Sequence, residues 1–430
     1  MTMQRKLKQL LIASSLALSG LSSPASAQLT ALVGGSVVNL ESGAPLENAV
    51  VLVEGDRITA VGSRDDVSIP ADATIIDASG KWIVPGLMNM HVHLGLKLPG
   101  AASVALQNES EAELALRMAE NAKLSLLSGT TTIRAPGDRS LGIFAVDKAI
   151  RRGEIPGPRI HAAGVPLAPT GGHGTSHGEV GVDGPDDVTR KAREQLRAGA
   201  TWLKLMISKG IASPAGSIAA SDMTLEEMRA AVDIAHRAGF KVTAHSGSPE
   251  ATLEALEAGV DCFEHGYYLN QEVFRKMKRA GAWYVPTIVV SQAGAMEFFR
   301  KIGSPQWYLD RAASVGKVHW TALQTAIDEG VNIAMGSDQF PFEPNEGTVA
   351  SVREIELYVD AGMTPRQALR SATVETARML GVAEEVGTIS EGKYADLLLL
   401  DSDPVADISA LRTIGLVMKG GTVVRNDWNL

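Results

Sequence analysis

Four histidines, a lysine and an aspartate are the side chains best suited to chemistry in this sequence: His91, His93, Lys204, His245, His265 and Asp338. His91 and His93 stand two apart, so on a β-strand both imidazoles face the same side. Lys204 lies inside the apolar run 202–207, where an ammonium is costly to bury. His245, His265 and Asp338 each fall near the end of another short apolar run. Imidazole and carboxylate together are the donor set of a divalent metal, Zn²⁺ first, with Mn²⁺, Co²⁺ or Ni²⁺ as substitutes. A lone His-x-His arises by chance, and one buried His or Asp is more often a hydrogen-bonded core group. What lowers that reading is the shared placement of all six.

The elements that would position them are eight apolar runs, 87–94, 130–135, 159–164, 202–207, 241–246, 262–266, 283–289 and 332–338, each followed by a longer helical pattern. Such alternation signals repeated βα units and a parallel sheet. One helix start is explicit: Thr224 as N-cap with Glu227 three residues on, a capping box. Eight parallel strands with intervening helices point to an α/β fold, a (β/α)8 barrel of the TIM type whose reactive groups cluster at the C-terminal strand ends. A doubly wound open sheet is the alternative, but no Gly-x-Gly-x-x-Gly turn follows the first strand.

Residues 28–84 and 383–430 alternate apolar and polar residues between Gly and Asp turns, which suggests that the two ends pair into one small β-sandwich flanking a barrel over 85–382. Residues 1–27 differ again. Arg5, Lys6 and Lys8 precede an apolar run from Leu10 to Leu21, and Ala25-Ser26-Ala27 offers a small-x-small cleavage pattern. This is the order of a secretory signal peptide, with cleavage after Ala27 and a secreted or periplasmic product. No other stretch is long and apolar enough to span a membrane. The 430 residues carry a formal charge of −9, which argues against nucleic acid as a partner. Cys262 is the only cysteine, so no intrachain disulfide can form. It reads as a small buried side chain rather than a nucleophile.

The segment Val84-Pro85-Gly86-Leu87-Met88-Asn89-Met90-His91-Val92-His93-Leu94 resembles the opening strand of the amidohydrolase superfamily, and Gly387 to Leu397 resembles the turn by which such enzymes re-enter their β-sandwich. One departure is Asn89, where relatives usually carry Asp. The resemblance implies two divalent metal ions: His91 and His93 on the more buried one, His245 and His265 on the other. Lys204 would react with carbon dioxide to give a carbamate bridging both. A metal-bridging hydroxide would attack the substrate carbonyl, with Asp338 and His265 as catalytic residues and Asp338 passing the proton to the departing nitrogen. Deaminases of the superfamily lack the bridging lysine and carry a Glu after strand five. Here Ser246-Gly247-Ser248 follows His245, so Lys204 favours amide hydrolysis.

Pro169-Thr170-Gly171-Gly172-His173-Gly174 and His265-Gly266-Tyr267-Tyr268 resemble bacterial enzymes that cleave Xaa-Pro or other dipeptides and N-acyl amino acids, and related ochratoxin-hydrolysing amidases. By that resemblance His173 and Tyr267 or Tyr268 would contact the terminal carboxylate of a small amide or dipeptide substrate. Arg134, ending the second run, is a further candidate partner for that carboxylate, or else part of a structural ion pair. His161, His177, His236 and His319 read as structural or solvated, and Trp283 and Tyr284 as barrel packing. A homo-oligomer is expected. Two other functions stay in view: a cyclic-amide hydrolase or deaminase resembling imidazolonepropionase, and an inactive barrel that only binds a ligand.

Overall fold

The computed structural model describes residues 28–429 except 42, 97, 101–103, 105, 107, 176–180 and 339–347. The expected signal peptide and His177 lie outside the described residues. Among the described residues no helix is long and apolar enough to cross a membrane.

The two chain ends meet in one eight-stranded sheet. Strands β1 (Leu29–Val37), β2 (Leu46–Glu54), β3 (Arg57–Ser63), β4 (Thr74–Asp77) and β5 (Trp82–Pro85) come from the N-terminal side. Strands β14 (Leu397–Leu400), β15 (Leu416–Lys419) and β16 (Thr422–Asn426) come from the C-terminal side. Strand β14 pairs antiparallel with β5, Leu398 opposite Val84, and with β15 on its other edge. Its four leucines are fully buried because they serve two cores in alternation. Leu397 and Leu399 join the core of this sheet with Leu32, Val51 and Ile83, while Leu398 and Leu400 join the main core beside the second layer. Each such burial contributes roughly 1.5–3 kcal/mol.

The middle of the chain follows the expected alternation. Strand β6 (Leu87–Asn89) precedes α1 (Glu111–Leu127), then β7 (Thr130–Ala135), α2 (Gly142–Arg151), β8 (Arg159–Ala162), α3 (Gly184–Ala198) and β9 (Trp202–Met206). Next come α4 (Leu225–Arg237), β10 (Lys241–Ser246), α5 (Pro249–Ala258), β11 (Cys262–His265), α6 (Gln271–Ala280) and β12 (Trp283–Val285). Two helices, α7 (Ala293–Lys301) and α8 (Gln306–Glu329), separate β12 from β13 (Asn332–Ile333). The series closes with α9 (Thr348–Asp360), α10 (Pro365–Ser371) and α11 (Val374–Leu380). Helix α4 starts at the expected capping box, with the Glu227 amide on Thr224 Oγ1 at 3.3 Å and the Thr224 amide on Glu227 Oε2 at 2.8 Å.

All eight central strands pair in parallel, but in two arcs, β6-β7-β8 and β9 through β13, rather than one unbroken cylinder. Isolated backbone hydrogen bonds bridge both gaps, among them Leu167 N to Lys204 O and Met206 N to Leu167 O between β8 and β9, and Met90 N to Met335 O between β6 and β13. The ladders stop there because the chain bends early. Pro166, which has no amide to donate, sits at the first gap, and β13 is only two residues long at the second. Three of the bends carry positive φ on residues with a Cβ: His265 at 65°, Thr287 at 51° and Asp338 at 51°. A β-branched residue there is a genuine outlier, and such strain gathers where side chains must be aimed.

Candidate functional site

All six expected metal-binding residues face one cavity at the C-terminal ends of the central strands, together with His173 and Tyr267. His91 and His93 lie just past β6, Lys204 on β9, His245 on β10, His265 at the end of β11, and Asp338 beyond β13. Five imidazole rings form a continuous series, with centroids 5.0 Å apart from His93 to His91, 4.9 Å to His265, 4.6 Å to His245 and 4.1 Å to His173. Among the described residues, the ligand atoms of His91, His265 and Asp338 lie within 4.8 Å of one another.

The hydrogen bonds behind these rings decide which nitrogens point inward. His93 Nδ1 meets the Gly137 carbonyl, which can only accept, so that nitrogen carries the proton. His91 Nδ1 meets the Glu264 carboxylate at 2.7 Å, with the same consequence. Both Nε2 lone pairs then point inward, 3.1 Å from one another and 3.2 Å and 3.1 Å from Asp338 Oδ1. Two lone pairs and an anion converging in this way repel one another, and a cation placed among them would turn the repulsion into attraction. The donor set therefore fits a divalent ion. His245 gives its Nε2 proton to the Lys209 carbonyl at 3.1 Å and keeps a lone pair on Nδ1, while His265 Nδ1 pairs with Thr287 Oγ1 at 2.7 Å. Outer partners of this kind fix the tautomer and orientation of metal-binding histidines.

Electrostatics agree with the geometry. Burial pushes His91 down to about 4 despite Asp338, and drives His245 and His265 well below the usual range, so they stay neutral and able to donate lone pairs. Burial likewise lowers His93, but hydrogen bonding and charge from Asp338 override it and raise its proton affinity. Burial pushes the Lys204 ammonium down to about 8. The ring of His173 stacks on His245 with Nδ1 2.9 Å from Ser213 Oγ, and burial lowers it to about 3. Tyr267 stacks on His265 at 5.3 Å, and burial raises its phenol well above 10.

Two expected substrate contacts are corrected. Arg134 is fully buried beneath the site and does not line the cavity. Its guanidinium is spent on Glu264, on Met90 O at 2.7 Å and on Cys262 Sγ at 3.5 Å, and stacks over Trp202. The structural ion pair is the reading that holds. Tyr268, adjacent to Tyr267, packs against the main core and does not line the cavity, because successive residues of this turn diverge.

Glu264 escaped the sequence reading. Burial alone would raise it, yet Arg134, His91 and Lys204 hold it well below the carboxylate range, and Thr243 adds a hydrogen bond. A Glu inside the otherwise apolar run 262–266 was the available signal. Asp138, which binds the Gly95 amide at 2.6 Å and is pushed up to about 6 by burial, gave no signal of its own. Asn89 meets its changed identity with its own network, donating to Ser337 Oγ at 2.8 Å and Ser351 Oγ at 3.0 Å while accepting from the His91 amide. His319 is structural as expected. Fully buried, it gives its Nε2 proton to the carbonyls of His265 and Pro286. Burial raises the Cys262 thiol to about 11, as suits an inert core residue.

Comparison with known proteins gives a consistent picture. The model of the amidohydrolase family matches residues 82–424. Ochratoxinase from Aspergillus niger is 28% identical over 420 residues, covering 89% of this chain and 84% of that one. A Xaa-Pro dipeptidase crystallised with bound methionine superposes with a TM-score of 0.85 at 30% identity, over 93% of this chain and 100% of its own. Imidazolonepropionase from Geobacillus kaustophilus is 26% identical over 426 residues, covering 89% of this chain and 91% of that one. Structural neighbours of this family imply a TIM-type α/β barrel as the frame of the two arcs.

Proposed function

This chain belongs to the amidohydrolase family, and from that premise we propose that it cleaves the amide bond of a small substrate with a free carboxylate, a dipeptide or an N-acyl amino acid, at two divalent metal ions. As a member of that family with ochratoxinase and dipeptidase relatives, it is a hydrolase acting on C–N bonds. The observation that supports the finer reading is the convergence of His91 Nε2, His93 Nε2 and Asp338 Oδ1, a donor set that a bound divalent ion would satisfy.

In this reading His91 and His93 would hold one ion and His245 and His265 the other, with Asp338 as a further ligand. Bound there, zinc or a similar ion supplies an acidified water and a polarised carbonyl. Lys204, which lines the same cavity, would supply an anionic ligand once converted to a carbamate. Lowered to about 8 by burial, it offers the free amine that adds to carbon dioxide, with loss of a proton, to give a carbamate. The Asp338 carboxylate takes a proton from the attacking water and delivers it to the departing nitrogen. His173 and Tyr267 hydrogen-bond the substrate's carboxylate, and apolar walls including Ile211, Val290 and Phe299 take its side chain.

The leader-like residues 1–27 support an exported enzyme. We divide the remainder into a barrel over 85–382 and a β-sandwich from 28–84 and 383–430, and infer a homo-oligomer. The likeness to imidazolonepropionase keeps cyclic amides as a second substrate class. The test is product analysis of zinc-loaded enzyme on Xaa-Pro dipeptides, other dipeptides, N-acyl amino acids and cyclic amides. Release of a free amino acid, abolished by chelator and restored by metal, is expected; opening of cyclic amides alone would overturn the assignment.

A further inference from the structure

The cavity holds a cation, Arg139, that no described residue answers with an opposite charge. Arg139 follows β7 by four residues, lines the cavity beside Asp138 and is only partly exposed. Its guanidinium makes no hydrogen bond, ion pair or ring contact with any described residue. The contrast with the neighbouring arginines is sharp. Arg134 is consumed by Glu264, and Arg117, on α1, is held by Glu109 at 2.6 Å. Asp138 forms no ion pair with Arg139; its oxygens face the amides of Leu94 and Gly95 at 3.3 Å and 2.6 Å. Much of the remaining wall is apolar, with Leu98, Ile211, Val290 and Phe299. A guanidinium stays charged at any working pH, and holding it unpaired in an apolar recess is unfavourable. The arrangement makes sense for a site that completes its ion pair with the ligand.

Resting on the amide-hydrolase reading above, we propose that Arg139 is the specificity-determining residue of this site, pairing with the substrate's carboxylate and restricting turnover to amides whose released amine is a free amino acid. His173 and Tyr267 supply hydrogen bonds to the same group but no permanent charge. Planar guanidinium matches carboxylate in two parallel N–H···O bonds, which gives orientation as well as attraction. The apolar wall then receives the side chain next to that carboxylate. An aliphatic or aromatic amino acid is thus the class of leaving group. Sequence pattern had directed attention to Arg134, the arginine inside a strand, instead of the one in the loop beyond it.

The experiment compares N-acetyl-L-phenylalanine with N-acetyl-L-phenylalaninamide on the metal-loaded wild type and on Arg139→Met and Arg139→Lys. A charge-assisted pair of this kind is worth about 1.5–3 kcal/mol, or roughly 10–150-fold. Wild type should prefer the acid by that factor. Arg139→Met should lose the preference through a raised KM for the acid, with kcat changed less than about threefold and the amide unaffected, while Arg139→Lys recovers part of it. Unchanged metal content and thermal midpoint establish that the variants fold. An Arg139→Met enzyme that still discriminates acid from amide, or a wild type that never did, overturns the proposal. If neither compound is cleaved while a dipeptide is, the amide-hydrolase reading stands; if no amide on the wider panel is cleaved, that reading falls separately. Calorimetric binding of the same intact pair then decides the role of Arg139: tighter binding of the acid, lost in Arg139→Met, supports it, and equal binding overturns it.

Discussion

At the scale of single residues, Lys204 and Arg134 separate the chemistry of the site from its foundation. Both are cations inside the strand layer, and a sequence treats them alike. Lys204 reaches the cavity, so Lys204→Ala should lose bound metal and turnover together, as read by elemental analysis and a hydrolysis assay; full activity in that variant would end the two-metal account. Arg134 answers Glu264 instead, and both side chains are fully buried. Removing one partner of such a pair leaves an uncompensated charge and costs about 3–5 kcal/mol. Arg134→Met should accordingly lower the thermal midpoint strongly and weaken metal binding through the Glu264–His91 link, whereas Arg139→Met should do neither. The six metal-binding candidates were legible because five stand near the end of an apolar run and Lys204 is a cation inside one. The roles of Arg134, Tyr267 and Tyr268 were not, since run pattern fixes where a strand ends but not whether the next side chain turns into the cavity or under it.

At the scale of elements, the strands were legible and the bends between strand and loop were not. Runs such as 87–94 and 332–338 continue apolar past β6 and β13 because the rim stays buried after the ladder has ended. Those bends aim the site. The loop after β9 approaches closely at Gly210, where an added Cβ would lie 2.5 Å from His173 Cε1 and 2.7 Å from His245 Cε1. Gly210→Ala should therefore displace both rings and cut activity at least tenfold while shifting the thermal midpoint little; a fully active variant would show that the rings are not held this tightly. The turn after β12 is secured from α9, where the Glu354 carboxyl accepts the amides of Ile288 and Val289, both at 2.8 Å, next to the Thr287 that supports His265. Burial pushes Glu354 up to about 8 from the ordinary 4.5, against the pull of those amides. The folded state then holds its proton over a range where the unfolded chain has released it, so stability falls as pH rises from about 4.5 to about 8 and levels off beyond. Glu354→Gln lacks this titration. The thermal midpoint of the wild type should drop relative to that variant across this window, and a difference independent of pH would show that Glu354 is charged in the fold.

At the scale of the whole molecule, the two chain ends close around the central strands, and this ties the site to residues far from it. Arg57 on β3 reaches the Gly392 carbonyl across 335 positions, Arg159 on β8 binds Asp396, and β14 lies between β5 and β15. Because β5 leads within two residues into β6 and the His91–His93 segment, whatever holds β5 also holds the first proposed metal-binding residues in register. Pairing over such separations carries a large loop-closure term before any contact rewards it, so the central strands depend on a sheet that only a complete chain can finish. Cutting the chain after Asp396 removes β14, β15 and β16, leaves the backbone edge of β5 unpaired and uncovers the faces that Leu397 to Leu400 had buried. An exposed apolar edge of this kind invites association with other chains. The truncated protein should collect in the insoluble fraction, or bind no stoichiometric metal where traces stay soluble, even though every metal-binding residue is present. A soluble truncated chain with the wild-type thermal midpoint and full metal content would mean instead that the central strands fold on their own and that the terminal sheet merely rests against them.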